Sequence, residues 1–280
     1  MKRFSALASM LVALGCTTLA GCDSLPWHFD PLSINGRDGA GAPVPYATVM
    51  RLGAAAHAGG NLPTAVGFYR RAAELDPAAP APLVAAGNTL LEMGSIDEAI
   101  IAYNAALRRI SRDGEALRGL ARAYLMTGKP ELAGKVLAIA FQDTPEDPKL
   151  LQLIGVADDF ASQHEEAQAR YRRGLELLPN DPALSLNLAL SLALTGNYPA
   201  AIAILRPVAA APTATPRERL TLALIYGLQG DTIAAEQMAR RDLDPEAVRH
   251  NLAYYETLRR MSPQARQRAL ETLGSPHGRG

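Results

Sequence analysis

From about residue 46 onward, short apolar runs separated by turn residues recur at a constant interval. Stepping by 34 residues from Ala65 lands on Ala99, Ala133, Ala167, Ala201 and Ala235 with no insertion or deletion. Five residues before each alanine stand Gly60, Gly94, Gly128, Ser162, Gly196 and Gly230, a position suited to a helix end that needs a left-handed residue. Twelve residues before each alanine stand Gly53, Gly87, Ala121, Gly155, Ala189 and Ala223. These small residues predict a close crossing of two helices, with the alanine as their partner. Seven residues after it come Ala72, Ala106, Ala140, Gly174 and Val208, and Pro77, Pro145 and Pro179 close three of the units where a helix must stop. The sixth unit departs from the pattern with Asp242 at that place.

The period, the turn glycines and the coupled small positions resemble the tetratricopeptide repeat over roughly residues 46–249. The resemblance implies an all-α TPR solenoid, six helical hairpins stacked as a right-handed superhelix. Because no hairpin buries its apolar face alone, the stack is expected to behave as one domain with a continuous core. Val248, Leu252, Tyr255 and Leu258 keep helical spacing and predict a capping helix over 246–261, with a further short helix over 263–273. Residues 274–280 are expected to be a disordered tail.

Composition agrees with helices: the apolar content is mostly Ala and Leu, and aromatics are 5% of the chain. The formal charge is zero, and without residues 1–21 there remain 26 basic against 28 acidic side chains, so no nucleic-acid footprint is present. Both cysteines, Cys16 and Cys22, lie at the N-terminus, which leaves the repeats without a thiol. Lys2 and Arg3 followed by an apolar stretch from Phe4 to Ala20 form a signal-peptide layout over residues 1–21. Leu19-Ala20-Gly21-Cys22 resembles the bacterial lipobox, which implies diacylglyceryl transfer to Cys22 and cleavage before it. Cys16 is the poorer candidate because Leu14 is bulky beside the cleavage point. Multiple acyl chains would hold the protein stably on a bilayer. Residues 22–45, with Pro26, Pro31, Pro43, Pro45 and three glycines, are expected to be a flexible lipid-anchored linker, in which Trp27 and Phe29 are incidental or touch the lipid interface.

In this repeat class the first helix of each hairpin lines the binding groove. The resemblance therefore places Val84, Asn88, Leu91, Glu92, Glu115, Arg118, Arg122, Leu125, Lys149, Gln152 and Asp159 in the groove of repeats two to four. Arg118 and Arg122 lie one turn apart and could share a carboxylate of a partner peptide, with Asn88 orienting its backbone. The alternative is a solvated charged face. In repeats five and six the same positions carry Leu186, Leu190, Leu194, Leu220, Leu224 and Leu228, an apolar stripe that a partner or the chain's own C-terminal helix should cover. The histidines His28, His57, His164, His250 and His277 are scattered, with no catalytic constellation. His164-Glu165-Glu166 lacks the second histidine of a zinc-binding helix and falls at an expected turn between helices. No cofactor, metal, nucleic acid or small-molecule substrate is expected, and no enzymatic activity.

Beyond the repeat, the segment from Asn187 to Pro207 is similar to the TadD family of tetratricopeptide lipoproteins of Flp (tight adherence) pilus assembly. The similarity continues through Thr215-Pro216-Arg217, the run from Leu222 to Asp231, residues 239–243 and the run from Asn251 to Tyr255. It implies a pilotin-like factor on the periplasmic face of the outer membrane that binds the pilus secretin or other pilus-machine subunits. Asp23 after the anchor leaves the inner membrane open. The alternative is a tetratricopeptide lipoprotein adaptor for peptidoglycan or outer-membrane assembly enzymes.

Overall fold

The computed structural model describes residues 44–274. The lipobox at Cys22, the linker aromatics Trp27 and Phe29, and residues 275–280 of the expected tail lie outside the described residues. Among the described residues there are fourteen helices and no strand. They are α1 (Tyr46–Ala58), α2 (Leu62–Leu75), α3 (Ala81–Glu92), α4 (Ile96–Arg109), α5 (Gly114–Met126), α6 (Pro130–Asp143) and α7 (Pro148–Phe160), followed by α8 (His164–Leu177), α9 (Pro182–Leu194), α10 (Tyr198–Ala210), α11 (Pro216–Gln229), α12 (Thr232–Ala239), α13 (Pro245–Arg260) and α14 (Pro263–Gly274). This is the fold of a tetratricopeptide solenoid.

Local chemistry explains the helix ends. The residue five before each repeat alanine has positive φ in all six hairpins, including 77° at Gly94 and 60° at Ser162. At Gly94 this turns the chain so that the Ser95 N–H donates to the Leu90 carbonyl (2.9 Å) and the Gly94 N–H to the Leu91 carbonyl (3.0 Å), satisfying the last carbonyls of α3. Ser162 makes the same pair of bonds without being glycine: the Gln163 N–H reaches the Asp158 carbonyl at 2.8 Å and the Ser162 N–H reaches that of Asp159 at 2.9 Å. Several first helices start at a proline preceded by aspartate. The Asp181 carboxylate accepts the Leu184 N–H at 2.8 Å and Pro182 opens α9.

Two compact units are distinguished, one ending at Ala123 within α5 and the other running from Tyr124 to Gly274. The physical reason lies in the repeat: each hairpin packs only against its neighbours, so the core is built as a series of clusters with no centre common to all. In the first unit Val49, Phe68 and Ala72 form one cluster and Ala65, Tyr69 and Ala86 another. Arg109 of α4 caps the end of α2 there by donating to the carbonyls of Ala73 (3.1 Å) and Ala79 (2.5 Å). In the second unit a larger cluster joins α8, α9, α10 and α11 around Leu184, Leu188, Leu192, Leu205 and Ile225. A further cluster joins α11, α12 and α13 around Ala223, Ala235, Val248 and Tyr255.

The small residues twelve before each alanine have a different partner from the one expected. A Cβ added to Gly53, Gly87 or Gly155 would lie 2.5–2.7 Å from a ring carbon of Tyr69, Tyr103 or Tyr171 respectively. The space they leave thus takes the tyrosine four residues beyond the alanine. The sixth hairpin is shortened, its second helix α12 having eight residues. Asp242 follows it and accepts a two-pronged contact from Arg219 of α11, at 2.7 Å from Nε and 2.5 Å from Nη2. Gly274 ends α14 and so is helical rather than part of a tail.

Candidate functional site

In the first unit the second-helix tyrosine of the α3–α4 hairpin reaches through to the face of α3. Tyr103 is fully buried, and glycines at 87 and 119 leave room on α3 and α5 for its ring. Its hydroxyl donates to the Asn88 amide oxygen at 2.7 Å. Burial pushes the Tyr103 phenol up to about 12, with nearby Arg122 pulling down and Glu92 pushing up, so the hydroxyl stays protonated as a donor at neutral pH. Asn88 and Arg122 are both exposed, and Arg122 has no hydrogen-bond or ion-pair partner among the described residues. Glu92 is held by His57 of α1, whose Nε2 lies 2.8 Å from its carboxylate. The face therefore offers an amide and a guanidinium at equivalent positions of two successive repeats, suited to an acceptor oxygen of a peptide.

The structure distributes the other expected groove residues unevenly. Glu115 and Lys149 are exposed, and Arg118 and Gln152 are half-buried. Val84, Leu91 and Leu125 are buried, so they are core and not groove.

The leucine stripe in the second unit is also divided. Leu186 is 2% exposed and sits inside the cluster formed by α8, α9, α10 and α11, so it is a core residue. Leu228 is likewise 2% exposed, on a helix that packs against α9, α10, α12 and α13. Neither can contact a partner, because neighbouring helices already cover them. Leu190, Leu194, Leu220 and Leu224 remain half-buried. Leu220 and Leu224 pack against the cluster that joins α11, α12 and α13, so that part of the stripe is partly taken up within the fold. The six repeat alanines, Ala65, Ala99, Ala133, Ala167, Ala201 and Ala235, are all fully buried.

The second unit also holds a polar network that sequence reasoning missed. His164 is the first residue of α8, not part of a turn, and its Nδ1 lies 2.8 Å from Asp159 Oδ1. Ser191 of α9 donates to the same oxygen at 2.7 Å, and the Tyr171 hydroxyl donates to Oδ2 at 2.9 Å. Burial raises the Asp159 carboxyl above its ordinary value while the three bonds pull it down, and burial also raises the Tyr171 phenol. A serine, a histidine and an aspartate thus meet, but the serine bonds the aspartate rather than the imidazole and is fully buried, so no nucleophile is activated or reachable. The network joins α7, α8 and α9 mechanically. The repeat period was the available signal, since Ser191 stands two places short of one full repeat beyond Asp159.

Among the described residues no three His, Cys, Asp or Glu side chains are grouped to hold a metal, and no helix is long and apolar enough to cross a membrane.

Tandem helical hairpins of this kind define a protein-binding repeat scaffold. Tetratricopeptide repeat models match residues 84–148, 155–215 and 217–241, and the chain belongs to the tetratricopeptide repeat family. Proteins of this family bind protein partners and are in general non-catalytic scaffolds. The chain is 30% identical over 127 residues to anaphase-promoting complex subunit 7 of Arabidopsis thaliana, a match spanning 45% of this chain and 23% of that protein's length. Among solved structures it resembles PilF of Pseudomonas aeruginosa, with a TM-score of 0.59 and 22% identity over 69% of this chain and 88% of the other. It also resembles PilW, a type IV pilus biogenesis factor, with a TM-score of 0.63 and 17% identity over 69% of this chain and 90% of the other.

Proposed function

We propose that this chain is a lipid-anchored assembly factor of the Flp (tight adherence) pilus that binds the secretin or another pilus-machine subunit. The observation that carries the proposal is the similarity of residues 187–207, and of the segments between 215 and 255, to the TadD family. These stretches fall within the span of α9–α13, in the second unit. The fold shared with PilF and PilW, the latter a pilus biogenesis factor, is consistent with this role.

In this reading Cys22 carries the acyl anchor and holds the protein on the periplasmic face of the outer membrane. The anchor then raises the local concentration of whatever the repeats bind, without any chemical step. Asn88 and Arg122 take a carboxylate or carbonyl oxygen of the partner segment, with Arg118 one turn away on α5. Leu190 and Leu194 supply apolar contact area.

The test is in-cell crosslinking of the intact protein in its own host under pilus-expressing conditions, with mass spectrometry of the co-purified proteins. Enrichment of the secretin or its associates, lost when Cys22→Ser releases the protein from the membrane fraction, is the expected result. Enrichment of cell-wall enzymes without pilus components would overturn the pilus assignment in favour of an envelope-enzyme adaptor.

A further inference from the structure

Asn88 presents two different faces to whatever docks beside it, an acceptor oxygen and a donor nitrogen, and its orientation decides which chemistry the groove recognises. That orientation is set from behind. The Tyr103 ring fills space left by two glycines, on α3 and on α5; a Cβ on Gly87 would fall 2.7 Å from its Cε1, and one on Gly119 closer still. A ring so enclosed holds its hydroxyl in one place. The hydroxyl donates to the Asn88 oxygen at 2.7 Å, whereas the amide nitrogen of this exposed residue has no partner among the described residues.

We infer that Tyr103 is a positioning residue: it takes the Asn88 oxygen and so leaves the Asn88 amide nitrogen for a carboxylate or carbonyl oxygen of the bound segment, with Arg122 at the equivalent position one repeat further on. The neighbouring acid, Glu92, is held by His57 at 2.8 Å. This inference rests on the reading of the Asn88 and Arg122 face as the partner-binding site, and it makes that face selective for acceptors over donors.

The experiment is nuclear magnetic resonance on the full chain purified in detergent, following the Asn88 side-chain NH2 and the Arg122 Nε–H during titration with acetate as the carboxylate probe. In the unsubstituted chain the Asn88 NH2 is expected to be rigid and both signals to shift on titration. Tyr103→Phe keeps the ring in its enclosure, so helicity should persist while the Asn88 NH2 becomes mobile and acetate binds about fivefold more weakly, the equivalent of one ordinary hydrogen bond. Asn88→Asp, at an exposed position, puts an acceptor where a donor is required and should abolish the response. If acetate shifts neither signal, or if Arg122→Ala leaves the titration unchanged, the carboxylate reading of the face is overturned. If Arg122→Ala removes the response but Tyr103→Phe leaves Asn88 rigid and the affinity unaltered, the role given to Tyr103 is overturned and the face itself stands.

Discussion

Gly53 and Tyr69 are sixteen residues apart, and the absence of a side chain at the first is what admits the ring of the second: a Cβ on Gly53 would lie 2.6 Å from Tyr69 Cε1. The same spacing recurs as Gly87 with Tyr103 and Gly155 with Tyr171. Where the first residue is alanine, at Ala121 and Ala189, the second is Leu137 and Leu205, so a larger first residue goes with a smaller second at a similar total, whereas the shortened sixth hairpin has alanine at both, Ala223 and Ala239. Gly53→Ala should therefore destabilise the first unit by roughly 1–3 kcal/mol, although alanine is the better helix former. Adding Tyr69→Leu should recover part of that loss. Thermal melts of the two single variants and the double one would show it, and strictly additive losses would sink the explanation.

The Asp159 carboxylate is the shared acceptor of His164, Tyr171 and Ser191. Asp159→Ala strands three donors at once and should cost on the order of 3 kcal/mol, while Ser191→Ala, which removes one donor and leaves the acceptor satisfied, should cost about 1 kcal/mol. Urea titration compares the two. Equal effects would mean that the carboxylate is not the hub.

Burial pushes the Asp158 carboxyl above its ordinary value of 3.8; Arg170 pulls it down, and Asp159 and Glu166 push it further up. Its Oδ2 is buried with no hydrogen-bond partner, and the nearest cation is Arg170 Nε at 3.9 Å. The folded protein thus holds this proton more tightly than the unfolded chain does. The carboxylate's contribution to stability accordingly falls as pH rises from the unfolded value through the raised folded one. Asp158→Asn should stabilise the second unit at neutral pH, and the advantage should shrink on acidification and vanish below about pH 4. Urea midpoints at the two pH values decide the matter: an advantage independent of pH would exclude charge burial as its cause.

The Arg219–Asp242 pair closes the shortened sixth hairpin, with the Asp242 side chain 8% exposed and Arg219 also donating to the Ala214 carbonyl at 2.7 Å. Asp242→Ala leaves the Arg219 guanidinium without its carboxylate and should lower the urea midpoint of the second unit. Hydrogen exchange should show the loss concentrated in α11 and α12. A loss spread evenly over the second unit would argue that the pair is incidental.

Much of the fold was legible because its determinants are local. The 34-residue step, the left-handed turn residues at Gly94 and Ser162, and the prolines Pro77, Pro145 and Pro179 that close three units each act through backbone conformation within a few residues. The candidate site was legible only in part. Asn88 and Arg122 stand one repeat apart, at equivalent positions of α3 and α5, but the hydroxyl that holds Asn88 comes from Tyr103 on α4.

What the sequence determined by itself was the repeated helical hairpin with its left-handed turn residues. Only the tertiary structure decided which apolar positions face a neighbour. Leu186, Leu228, Val84 and Leu91 stand at groove positions yet are core, whereas Leu190 and Leu194 stay half open. It also decided that Asp159, His164, Tyr171 and Ser191 meet, and that the helices divide into two compact units. The reason is physical: a helix's periodicity says which residues share a face, but burial and hydrogen bonding depend on what packs against that face, and that partner is drawn from elsewhere in the chain.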